Sequence, residues 1–376
     1  MNPIKGMAQA LLIYAKLLFT TQYAGHKVTP PGYLTYLLNN RAKLSEADLS
    51  GDKRNGHMVP VKVRYKQRIT PDEITSSDDC YIEGKPVWKE TSVTPDMFAK
   101  YAFYIPNNLI KQYANEASNL VKMGDPSKGI MNEFWEHIVY VVNGMVGKMD
   151  QDLLTKQALN FGVNQVTGVN TSTTVNFPLA TTNNLSTGIT KILSDAMANE
   201  FAPGSIDIVG SGLFNAYELQ QIAKSADQAG LNTAALRGYS FNHDLYAQSK
   251  WGANQIGVFE KGAVQFLDIN ENAGNFGGDF GTAWLGTLDI PLAMTNADGS
   301  LASIKLDAHL KFMDCPTDVL VFDSGYGDYV SENLGKGFYL ILSKPYGQFN
   351  MPSDSYQTSD RLTGNNGSLR YTITNV

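Results

Sequence analysis

The five histidines, His26, His57, His137, His243 and His309, are the side chains best suited to ligate a metal or move a proton near neutral pH. None stands four residues from another or beside a cysteine, so no zinc-type spacing is spelled out. Gly210-Ser211-Gly212 resembles a glycine turn opening a helix, where backbone N–H groups can hold an anion. A dinucleotide fingerprint would need glycine at position 215, which Asn215 occupies, and the nucleophile-elbow pattern fails because Gly210 directly precedes Ser211. Asp268, Asn270, Asn272, Gly274 and Asp279 imitate a calcium loop. The glycine falls at the seventh place instead of the sixth, and the twelfth holds Asp279 instead of glutamate, so a polar surface loop is expected. Cys80 and Cys315 offer neither a disulfide framework nor a metal spacing. With no catalytic, cofactor-binding or metal-binding constellation, the chain reads as a non-enzyme without cofactors.

The elements available to position side chains are mixed. Met7, Leu11, Tyr14 and Leu18 share one face of an N-terminal helix ended by Gly25, and a second short helix is expected from Tyr33 to about Leu44. From Met58 to Val93 the period becomes two: Val59, Val61, Val63 and Tyr65 alternate with Pro60, Lys62, Arg64 and Lys66. Charge is segregated here. Lys53, Arg54, Lys62, Arg64, Lys66 and Arg68 come without an acid, then Asp72, Glu73, Asp78, Asp79 and Glu83 come without a base. Folding back near Pro71 brings opposite charges across a ribbon whose return strand, Pro86 to Val93, carries Trp88. A long hairpin cannot bury its own faces, so it is expected to lie on another surface, including that of another copy of the chain.

A modest helix is expected from Asn107 to Gly124. Ile130, Phe134, Ile138, Val142, Met145, Met149 and Leu153 then form one apolar stripe along a helix from about Met131 to Leu159. A helix from Ser186 or Thr187 buries Ile189, Ile192, Leu193, Ala196 and Met197, followed by a buried strand Ile206–Val209 and a helix from Leu213 to Ala229. Beyond Gly252 strands are expected at 255–259, 263–267, 283–293, 301–312, 319–322, 338–343 and 368–373, with Asp298-Gly299 as a hairpin turn. Strands and helices do not alternate as βαβ, which argues against a doubly wound nucleotide fold.

Composition narrows the partners. The 376 residues are 43% hydrophobic but only 18% charged, and their net charge of −6 with a pI near 5.4 disfavours tight binding of nucleic acid over a broad face. The apolar run from Ala10 to Phe19 is interrupted by Lys16, so no signal peptide is expected, and no stretch of 18 apolar residues could span a bilayer.

The N-terminal arm, the charged hairpin at Met58–Val93, the long helix near Met131–Leu159 and the helix leading into Ile206-Asp207-Ile208-Val209 together resemble the major capsid proteins of tailed double-stranded DNA bacteriophages (Caudoviricetes), the Hong Kong 97 type capsid fold. Gln255 to Val264 is similar to that family's late axial-domain strand. Asp360 to Asn375, with Leu362-Thr363-Gly364 and Leu369-Arg370-Tyr371, is similar to its closing strand.

The resemblance implies an α+β fold with an N-terminal helical arm (1–54), an extended loop (55–105), a peripheral domain with a spine helix (106–203, spine about 131–159), an axial domain (204–345) and a returning C-terminal segment (346–376). It implies self-assembly as pentamers and hexamers into an icosahedral virion shell, made in the bacterial cytoplasm and enclosing DNA without specific binding or a membrane. Portal, scaffolding and decoration proteins are the implied partners. Lys62, Arg64, Lys66, Arg68, Asp72, Glu73, Asp78, Asp79, Glu83 and Trp88 are the candidate subunit-interface residues. No lysine–asparagine pair is identified for cross-linking subunits. An encapsulin-like compartment shell and a bacterial surface or adhesin protein remain alternatives.

Overall fold

Ile138, Val142, Met145, Met149 and Leu153 are all buried along a single helix, as their spacing predicts. In the computed structural model this helix runs Ile130–Ala158, within a residue of the expected bounds. The structure describes residues 28–42, 44–47, 60–66, 88–106, 130–169, 172–176, 184–202, 206–212, 214, 239–252, 254–270, 278–279, 283–295, 301–314, 318–323, 328–333, 336–352 and 364–374. The expected helices at residues 7–18, 107–124 and beyond Phe214 lie outside these residues, as does the Asp298-Gly299 turn.

In chain order the helices are α1 (Gly32–Asn39), α2 (Ile130–Ala158), α3 (Asn184–Ala198) and α4 (Ala247–Trp251). The strands are β1 (Leu44–Ala47), β2 (Val61–Lys66), β3 (Trp88–Val93), β4 (Met97–Pro106), β5 (Thr173–Asn176), β6 (Ile206–Gly210), β7 (Tyr239–His243), β8 (Gln255–Glu260), β9 (Val264–Asp268), β10 (Gly278–Asp279), β11 (Ala283–Thr295), β12 (Leu301–Asp314), β13 (Asp318–Asp323), β14 (Asp328–Asn333), β15 (Lys336–Asn350) and β16 (Ser368–Thr374). The chain divides into two compact units.

The first unit comprises residues 1–30, 98–146 and 269–345. Its sheet has the order β10-β11-β12-β15-β4, beside a separate two-stranded ribbon β13-β14. Leu288, Ile290, Leu292, Ile304, Leu306, Ala308, Leu310, Leu340 and Leu342 are all buried along β11, β12 and β15, and they alternate with more exposed positions except at Pro291 and Asp307, which are buried too. That alternation is what made these strands legible.

The second unit comprises residues 31–97, 147–268 and 346–376. Its five-stranded mixed sheet has the order β5-β16-β8-β6-β7, in which β6–β7 and β5–β16 pair in parallel and the others antiparallel. One face packs on α3 through Ile189, Ile192 and Ala196 against Ile206, Ile208, Ile256, Val258, Leu369, Tyr371 and Ile373. A three-stranded sheet β1-β2-β3 belongs to the same unit.

Four expectations are corrected. The helix expected to reach Leu44 stops at Asn39, because Asn40 leaves helical geometry and the backbone of Asn40 and Ala42 exchanges hydrogen bonds with Phe266; Leu44 starts β1 instead. Helix α3 begins at Asn184, and Met197, expected inside, is 62% exposed. Strand β15 extends to Asn350 through Pro345, which has no N–H to pair. It is tolerated there because β12 pairs β15 up to Ser343 and β9 from Tyr346 onward. Strand β7 was not expected from the sequence at all.

Candidate assembly surface

The β2–β3 ribbon realises the alternation of its sequence. Val61 and Val63 are buried, and Arg64 beyond them is exposed. The strands run antiparallel, with Val61 opposite Val93, Lys62 opposite Ser92, Arg64 opposite Glu90 and Lys66 opposite Trp88. Arg64 donates to Glu90 from Nε at 3.0 Å and pairs with it through Nη2 at 2.9 Å, the forked geometry that guanidinium offers a carboxylate. Its guanidinium carbon also lies 5.6 Å from the centre of the Trp88 ring, and Trp88 remains 49% exposed. Directly opposed charges and a half-exposed indole thus share one outward face.

The expected counterions were the acids between Pro71 and Glu83. Arg64 instead finds Glu90, a residue of the return strand that the charge-segregation pattern did not single out. Arg68, Asp72, Glu73, Asp78, Asp79 and Glu83 lie outside the described residues. Of the remaining candidates, Lys62 is half-buried and Lys66 ends the strand. Both side chains of the Arg64–Glu90 pair are more than a third exposed, so water screens the attraction and it adds at most about 1 kcal/mol to folding.

A different chemistry holds the head of α1. Pro31, at its N-cap, supplies no side-chain cap. The free amides are taken up from afar: Tyr33 N–H donates to Asp244 Oδ2 and Leu34 N–H to Asp150 Oδ1, each at 2.8 Å. Asp244 Oδ1 meanwhile accepts from the Tyr246 and Ala247 amides at the start of α4. The Tyr33 hydroxyl lies 3.3 Å from Gln157 Oε1 and 3.1 Å from Gln348 Oε1, and Gln157 Oε1 also accepts from the side-chain amides of Gln348 and Asn350. Tyr36, Trp251 and Phe259 surround the Tyr33 ring with centroids 5.7 to 6.1 Å away.

Burial drives these groups toward their neutral forms. The Asp150 carboxyl is pushed well above the usual carboxylate range by burial and by the neighbouring Asp244, against the pull of the Leu34 amide. The Tyr33 hydroxyl is raised by burial, by Tyr36 and by both carboxyls. Sequence reading passed over this cluster, although a signal existed. Val146, Asp150, Leu153 and Gln157 recur at intervals of 4, 3 and 4, so two polar residues stand on an apolar line of α2.

Several of the residues first considered for chemistry are used structurally, while His26, His57, Cys80, Asn272, Gly274 and Cys315 lie outside the described residues. A Cβ at Gly210 would come within 2.7 Å of the Phe214 ring, so that glycine admits an aromatic side chain. Asp268 pairs with Arg41 at 2.7 Å, and Asn270 accepts from the buried Lys344 ammonium at 2.8 Å. His137 packs edge-on against Phe103. The half-buried His309 has its pKa lowered by burial, Lys311 and Lys100, which favours neutral imidazole. Among the described residues no three His, Cys, Asp or Glu side chains are grouped to hold a metal, and no helix is long and apolar enough to cross a membrane.

The sequence matches no family model and no curated protein. Solved structures do match. The chain is similar to a structure from Mycobacterium phage Adephagia, with TM-score 0.43 and 9% identity over 93% of this chain and 91% of that one. It is similar to the capsid structure of the cyanophage P-SCSP1u, with TM-score 0.39 and 12% identity over 89% and 86% of the two chains. The capsid asymmetric unit of cyanophage A-1(L) matches with TM-score 0.43 and 12% identity over 86% and 91%.

Proposed function

We propose that the chain is a structural shell subunit, the major capsid protein of a tailed phage, and that it assembles as pentamers and hexamers around double-stranded DNA. The observation that carries this reading is the succession, along one chain, of a charged two-stranded ribbon, a 29-residue helix and a mixed sheet completed by the C-terminal strand β16. That is the order of extended loop, spine and closing strand in the Hong Kong 97 type fold. A shell subunit needs no reacting group. Asp244 holds backbone at the starts of two helices, a structural use of a buried carboxyl, and the proposal is of a non-enzymatic protein.

On this reading residues 1–54 are the arm, 55–105 the extended loop, 106–203 the peripheral domain, 204–345 the axial domain and 346–376 the returning segment. The outward face of the ribbon, with Arg64, Glu90 and Trp88, meets a neighbouring subunit together with the charged residues from Arg68 to Glu83. Portal, scaffolding and decoration proteins complete the virion, which is assembled in the host cytoplasm. With a net charge of −6, packaged DNA is confined by the shell instead of gripped by it.

Negative-stain microscopy of the purified chain, alone and co-expressed with phage assembly factors, tests the reading. Closed shells with five-fold and six-fold clusters are expected, and a monomer that never assembles under either condition overturns it. DNA recovered from particles made during infection separates a phage shell from a cargo compartment.

A further inference from the structure

Asp150 is fully buried, and while its Oδ1 accepts the Leu34 amide, its Oδ2 has no hydrogen-bond partner. Asp244, also buried, turns its Oδ2 to the adjacent amide of the same helix, Tyr33 N–H. Two carboxyls from distant parts of the chain thus converge on successive amides at the head of α1. If both were ionised they would place two negative charges in a dry site beside Tyr33 and the amides at the heads of α1 and α4. Three amides serve Asp244, but the single Leu34 amide does not compensate a second buried charge on Asp150.

We propose that Asp150 and Asp244 form a one-proton latch: a single proton carried by this pair of carboxyls anchors α1, and loss of that proton releases α1 from α2 and α4. The orphaned Asp150 Oδ2 is the place for the proton, because both oxygens of Asp244 already accept amide bonds. The charge that remains lies at the positive end of α1, where a helix favours it. The groups acting on Asp150 are Asp244 and the Leu34 amide, and those acting on Tyr33 are Tyr36, Asp150 and Asp244. On α2 itself Asp152 is bonded to Lys148 and to the Tyr346 hydroxyl.

The sign follows from the raised folded-state pKa. A carboxyl that keeps its proton in the fold but has lost it in the open chain stabilises the fold fully below the open-chain pKa of about 4. The contribution declines as pH rises from there through the folded-state pKa. Each opening event of α1 in that window releases one proton, so the opening constant rises about tenfold per pH unit. The latch is a property of the second unit alone and stands or falls independently of shell assembly.

Asp150→Asn tests it, because the amide keeps an acceptor for Leu34 N–H and supplies a permanent N–H toward Asp244. Thermal unfolding of the full chain from pH 5 to pH 9 should show the variant gaining stability over wild type with increasing pH, the curves converging toward the acid end. Hydrogen exchange at the Tyr33, Leu34 and Thr35 amides, corrected for intrinsic rate, should show wild-type opening that climbs with pH and variant opening that does not. Parallel stability curves, or a variant less stable at every pH, overturn the latch. Should the variant not fold, wild-type opening that is flat with pH overturns it, and a climb of about tenfold per unit supports it.

Discussion

The ribbon face around Arg64 and the head of α1 both pair polar groups across distant strands or helices, but they do so in opposite solvents. At the ribbon, a guanidinium and a carboxylate meet in water, where their attraction is mostly screened and each alone is well solvated. At α1, carboxyls, a phenol and two glutamines meet where water is excluded, and each unmade bond there costs the full desolvation of its group. The buried cluster therefore weighs more on the stability of its unit than the Arg64–Glu90 pair does.

Breaking the backbone approach beneath the buried cluster should have the largest effect. A Cβ on Gly32 would stand 2.4 Å from the His243 carbonyl oxygen, which is backbone and cannot swing aside. Gly32→Ala should cost about 3 kcal/mol, at the upper end of overpacking penalties, read as a lowered midpoint in denaturant titration. A midpoint equal to that of wild type would mean that α1 does not sit on β7 this closely. Next, Leu153→Ala removes a fully buried side chain of α2 and should cost about 2–5 kcal/mol. The pair brackets how rigid the packing around the cluster is.

Tyr33→Phe is gentler in shape and sharper in meaning. It deletes the hydroxyl shared by Gln157 and Gln348 while preserving the ring contacts, and should cost about 1–3 kcal/mol. A neutral outcome would place the strength of the cluster in its aromatic packing. At the ribbon the expectation reverses. Replacing both Arg64 and Lys66 by Glu should change unfolding free energy by less than about 1 kcal/mol yet reduce the yield or thermal stability of assembled shells. Adding Glu90→Lys should partly restore assembly. Unchanged yield in the double variant removes these residues from the interface without touching the shell proposal.

Much of the architecture was legible because it is periodic. The stripe from Ile138 to Leu153 reports a buried helix face, and the alternations along β2, β11 and β12 report half-buried strands, since each pattern repeats within a turn or two of chain. Where periodicity was silent, the reading failed. Strand β7 is a short segment made a strand by its parallel pairing with β6, and α1 was cut short by a bridge to Phe266 that nothing near Asn40 announces. Met197 shows the limit from the other side, an apolar residue adjacent to a buried face that the helix turns to solvent.

For the candidate surfaces the division is the same. The sequence alone determined that one strand would carry Arg64 and Lys66 on a single face, that Trp88 would lie on the return strand, and that no metal or nucleophile spacing is present. Only the tertiary structure decided that Arg64 meets Glu90 and that two carboxyls close on α1. The partners in that anchor are separated by 116 positions for Leu34 and Asp150 and by 211 for Tyr33 and Asp244. A residue's periodic face is set by its neighbours within about two helical turns. The ionisation of a buried carboxyl depends instead on whatever the fold brings within a few ångströms, and no local pattern of the chain encodes that distance.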